Sequence, residues 1–199
     1  MSTVSGSLAG PPPEGHRAAA GEPEEDRTAI GRLGLRLFIA SESMLFAAFI
    51  AARFYLNGTF RPETINPGLG VGLTLVLAGS SVLAYRALAA IRRDERKLAV
   101  RWLAGTILLG VLFLVGVAIE WSSAEFGPGT PFGTAFFSTT GLHAAHVLSG
   151  LVVLALVGRL IRRGHFSAEA HWGLTASVVY WTFVDALWVF VIFPTLYLL

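Results

Sequence analysis

Residues 101–121 read Arg-Trp-Leu-Ala-Gly-Thr-Ile-Leu-Leu-Gly-Val-Leu-Phe-Leu-Val-Gly-Val-Ala-Ile-Glu-Trp, and between Arg101 and Glu120 no side chain carries a charge. At 1.5 Å per residue, such a run crosses the ~30 Å hydrocarbon core of a bilayer as a helix. Its apolar residues are continuous. A barrel strand would alternate apolar and polar residues over only ~10 positions, so a helix is the better reading. Four further stretches have the same character: Leu33 to Leu56, Gly68 to Ile91, Thr134 to Gly158 and Leu174 to Leu198. Turn chemistry separates them, with Asn57-Gly58, Pro62 and Pro67 in the first break and the charged run Arg92–Lys97 in the second. Gly127-Pro128-Gly129 with Pro131 makes the third break and Arg162-Arg163-Gly164 the fourth. The expected fold is all-α, a polytopic bundle of five transmembrane helices over residues 29–199.

Composition agrees. Hydrophobic residues make up 54% of the chain and charged residues 14%, where a soluble domain carries roughly 25% charged. A net charge of +2 gives no basis for nucleic-acid binding. With no cysteine, the chain has no disulfide framework, thiolate zinc site, iron–sulfur cluster or cysteine-ligated copper. Residues 1–28 are rich in Gly, Pro, Ala and Ser and hold an acidic cluster at Glu22, Glu24, Glu25 and Asp26. They lack the apolar core of a signal peptide and are expected to form a disordered tail.

Basic residues set the orientation. Arg17, Arg27, Arg32 and Arg36 precede the first span. Arg86, Arg92, Arg93, Arg96, Lys97 and Arg101 flank the second connection, and Arg159, Arg162 and Arg163 the fourth. Only Arg53 and Arg61 lie on the other side. The positive-inside rule then puts the N-terminus in the cytoplasm and the C-terminus outside. Trp102, Trp121, Trp172 and Tyr197 fall near span ends, where amphipathic rings favour the interface. Gly72 with Gly79, and Ser41 with Ala48, are expected to let helices approach closely. No internal repeat and no pair of broken helices suggests a transporter.

Four ionisable side chains fall deep in the spans. Glu42 lies about 14 Å and Asp185 about 16 Å from the inner ends of their helices, and His143 and His146 lie about 14 and 18 Å from the outer end of theirs. All four therefore sit near the midplane. A charge there costs roughly 2.5–3.5 kcal/mol on insertion scales, so each group is expected to face the bundle, find a partner or be neutralised. Asp185 is flanked by Trp181 and Trp188. Glu120 is about 28 Å along its span, at the outer interface, where water is expected to solvate it. His143 and His146, at i and i+3, project from one helix face. A di-iron bundle would need more carboxylates than Glu42 and Asp185 supply, and two histidines on one face cannot sandwich a haem. Interhelical hydrogen bonding, to Asp185 or Glu42, is the expected use.

Several segments together resemble subunit III of haem-copper cytochrome c and quinol oxidases. They are Phe38-Ile39-Ala40-Ser41-Glu42-Ser43-Met44-Leu45-Phe46, Thr140-Gly141-Leu142-His143-Ala144-Ala145-His146-Val147 continuing to Gly150, and Tyr180-Trp181-Thr182-Phe183-Val184-Asp185-Ala186-Leu187-Trp188. Ile119-Glu120-Trp121 also fits. The resemblance covers residues 30–199 and matches a short five-helix bacterial form, without the first two helices of the seven-helix form. It also departs at Thr182, where the family usually has histidine. It implies a non-catalytic subunit in aerobic respiratory electron transport, in a bacterial inner membrane. Haem and copper would lie in partner subunits I and II rather than in this chain. The chain would pack mainly on subunit I, bind phospholipid and support stable proton uptake and turnover. Glu42, His143, His146 and Asp185 would form a polar seam beside a lipid-facing route for oxygen. An accessory subunit of a nitric oxide reductase, a stand-alone transporter or channel, and a membrane b-type cytochrome remain alternatives.

Overall fold

The computed structural model describes residues 24–199, with side chains from Thr28 onward. Helix α1 runs Glu24–Asn57, α2 Pro67–Ile91, α3 Arg96–Ser123, α4 Pro131–Arg162 and α5 Trp172–Leu187. Two π-helical segments, Trp188–Ile192 and Pro194–Leu198, continue the last span. Five helices are long and apolar enough to cross a membrane. Most run beyond the expected apolar stretches, because a helix keeps its backbone bonded through the headgroup layers as well as the hydrocarbon core. The first 23 residues of the expected tail lie outside the described residues. Residues 24–28 already belong to α1.

The turn residues act where the sequence put them. Asn66 caps α2 by accepting from Gly68 N at 2.9 Å and Leu69 N at 3.3 Å, and Pro67 follows as the first helical residue. Thr130 and Pro131 do the same for α4, with Gly133 N 3.0 Å from Thr130 Oγ1. Gly58 and Gly164 end α1 and α4 in the left-handed region, at φ 57° and 83°. Pro194 has no N–H to return to the preceding turn, and the last span widens to π-geometry around it.

Helices α2 and α3 form a closely packed hairpin, α4 lies against α3, and α5 fills the space between α2 and α4. Helix α1 packs on α4 and α5 at the edge. Trp181 of α5 is the keystone. It is fully buried, and its ring lies against Gly110 of α3 and Gly150 of α4. A Cβ on either glycine would stand 2.7 or 2.8 Å from the indole. Close approach thus occurs at Gly110 and Gly150. Gly72 is exposed with nothing near it, and Gly79 makes only an ordinary contact with Leu109. Ser41 and Ala48 also face outward. Spacing along one helix identified a face but not which face its neighbours cover.

Candidate functional site

The midplane residues divide into two clusters. In the first, Glu42 of α1 meets His146 of α4, with Oε2 and Nε2 2.8 Å apart. His146 Nδ1 lies 2.8 Å from Leu142 O. A carbonyl only accepts, so Nδ1 carries the hydrogen. The contact to Glu42 then holds one proton, either on the carboxyl and donated to Nε2 or on Nε2 and donated to the carboxylate. In both arrangements the pair has no net charge, which removes most of the cost of an acid at this depth.

His143 takes the opposite tautomer. Its Nε2 donates to Val184 O of α5 at 3.1 Å, leaving Nδ1 a bare, buried lone pair. The ring is enclosed by Phe46, Phe113 and Trp188, with centroids 6.4, 5.5 and 5.1 Å away. The bond is interhelical, and its partner is backbone rather than Asp185.

Asp185 belongs to the second cluster. Its Oδ2 accepts from Ser81 Oγ of α2 and, more weakly, from Ser80 Oγ at 3.3 Å. Ser80 directs its hydroxyl mainly to Leu77 O at 2.7 Å and accepts from Trp181 Nε1 at 2.9 Å. Trp188 Nε1 donates to Thr74 Oγ1 at 3.0 Å. Both tryptophans beside Asp185 therefore bind α2 through their indole N–H groups. Ser80, Ser81 and Thr74 were not singled out from the sequence, because hydroxyls on an apolar helix carry no signal until a partner faces them.

The end of the bundle that holds the C-terminus corrects a further expectation. Glu120 is buried at 8% exposure, and Tyr197 OH donates to its Oε2 at 2.6 Å. Depth alone suggested water, but the widened last span places Tyr197, itself fully buried, over the carboxyl. Arg53 is also fully buried. It donates from Nη1 to Gly58 O and from Nη2 to Phe60 O at 2.9 Å, and its guanidinium lies 5.1 Å from the Phe132 ring. By the distribution of basic residues along the sequence it is only a charge beside the first connection. Its position a turn before the Asn57-Gly58 helix end was the available signal. Thr182 donates to Val178 O at 2.8 Å within its own helix. Among the described residues, no three His, Asp or Glu side chains gather as a metal would require.

The family model for cytochrome c oxidase subunit III matches residues 21–199. The chain belongs to the cytochrome c oxidase subunit III family. A cytochrome c oxidase subunit 3 from Thermostichus vulcanus is 34% identical over 174 residues, covering 84% of this chain and 86% of the relative. One from Synechocystis is 33% identical over 177 residues, covering 83% and 74%. One from Cyprinus carpio is 38% identical over 173 residues, covering 80% and 66%. The subunit III match extends over both polar clusters, the Trp181 keystone and the Glu120–Tyr197 contact.

Proposed function

We propose that this chain is the non-catalytic third subunit of a terminal haem-copper oxidase in a bacterial plasma membrane, packed against subunit I and adjoining subunit II. The N-terminus lies in the cytoplasm and the C-terminus outside. Redox centres belong to the partner subunits, and this chain keeps the complex durable during turnover. Phospholipid covers its Leu- and Val-rich outer faces, with the arginines of the inner side at headgroup depth. The supporting observation is the Glu42–His146 hydrogen bond. It ties the edge helix to α4 through the Ser-Glu and Gly-x-His-x-x-His segments that carry the family resemblance. Nothing in the pair requires a substrate.

The test is an oxidase assembled with His146→Leu in place of the native chain. Haem spectra and initial turnover should match the unaltered complex, while activity should decay faster during sustained turnover or assembly yield should fall. Altered haem spectra, or unchanged durability with full assembly, would oppose the reading.

A further inference from the structure

Helix α1 is attached to the bundle unevenly. In its most apolar stretch only 6% of residues are buried, against 28% in α2 and α3, 39% in α4 and 44% in the last span. Its buried described residues are Phe46 and Arg53, both beyond Glu42 toward the outer end. Phe46 packs on His146 with centroids 5.1 Å apart, and Arg53 is fixed by two carbonyls and the Phe132 ring. From residue 28 to residue 45 no side chain is buried. A cavity of about 1160 Å³ lies at the inner end, with Thr28, Ala29 and Arg32 of α1 on one side and His171, Trp172 and Thr175 on the other. The inner half therefore meets the bundle through a stripe that is only partly buried, Thr28, Gly31, Leu35, Ile39 and Glu42. Gly31 and Arg32 rest against Trp172 there, with the guanidinium 5.6 Å from the half-buried ring.

We infer that the inner half of α1 is a strap pivoting on its Phe46–Arg53 anchor, with the Glu42–His146 pair as the latch that closes it onto α4. With the latch shut, Phe38 covers Tyr180, whose hydroxyl lies 2.8 Å from Ser149 Oγ. With it open, the membrane phase reaches that face of α4 and α5. Gly31, Glu42 and Arg53 recur every 11 residues, close to three turns, so the pivot, latch and inner contact share one face and one direction of swing. The strap does not depend on which complex holds the chain, so failure of the proposed function would leave it standing.

The chain has no native cysteine, so two pairs of spin labels can be introduced cleanly in the purified complex. Leu33→Cys with Leu156→Cys spans the inner halves of α1 and α4, and Tyr55→Cys with Ser138→Cys spans the outer halves. All four positions are exposed. With the latch intact, each pair should give one narrow distance population. Glu42→Leu should add a longer population to the inner pair, by up to the ~10 Å width of a helix, and leave the outer pair unchanged. Glu42→Gln, whose amide still donates to His146 Nε2, should keep one inner population. His146→Phe breaks the latch from α4 and serves if Glu42→Leu fails to assemble. An inner distance unmoved by either latch-breaking variant would overturn the strap, and so would equal lengthening of both pairs.

Discussion

At the scale of single residues, protons decide more than charges do. The hydrogen on His146 Nδ1 is committed to Leu142 O, so Nε2 can receive one from Glu42. This separates substitutions that look equivalent. Glu42→Gln keeps a donor opposite Nε2 and should cost under about 0.6 kcal/mol, near the mean for membrane interhelical bonds. His146→Leu leaves the acid unpartnered and should cost about 1–3 kcal/mol. Glu42→Leu combined with His146→Leu should recover most of that loss. A double-mutant cycle on detergent-solubilised thermal stability reads the three values, and additive single effects would rule out the pair. Asp185 follows the same logic with different partners. Asp185→Asn still offers an oxygen to Ser81 and should be mild. Asp185→Leu strands the Ser81 hydroxyl of α2 and should lower the midpoint of thermal unfolding clearly below that of the asparagine variant.

At the scale of helices, packing depends on which glycines meet a neighbour. Gly150→Leu or Gly110→Leu would drive a side chain into Trp181 and should abolish membrane accumulation of the folded chain, whereas Gly72→Leu, which meets nothing, should accumulate normally. Immunodetection in membranes checks all three. The helices themselves were legible in the sequence, because an apolar run about 20 residues long has few alternatives, and Asn57-Gly58, Pro67, Pro131 and Gly164 mark their ends. Midplane acids and imidazoles were legible for the same reason, since any ionisable group there must be accommodated. Their pairing was not. Linear distance placed Glu42, His143, His146 and Asp185 at one depth, but only helix order shows that α1 offers Glu42 to His146 while α2 offers Ser80 and Ser81 to Asp185. Glu120 misled for a related reason. Its depth was read from a straight span, and the π-geometry around Pro194 carries Tyr197 over it. Arg53 should likewise act through shape. Arg53→Met leaves Gly58 O and Phe60 O without their donor, and the 58–66 connection should be cleaved faster by added protease than in the unaltered chain.

At the scale of the whole molecule, the bundle is a tightly packed core of α2 to α5 with a lightly attached edge helix, and its polar interior is spent on holding helices together. Each midplane acid already has a partner inside the protein. That arrangement suits a helper that leans on a redox protein. Reconstituted alone in liposomes, the chain should carry no ion flux above empty vesicles. The decisive measurement is to tag the chain, extract it from its native membrane in mild detergent, and record both its companions and its own absorption. Larger haem-bearing oxidase subunits should accompany it, and the chain, once separated from them, should show no haem band. Recovery of the chain alone, or a haem band that stays with the separated chain, would contradict it.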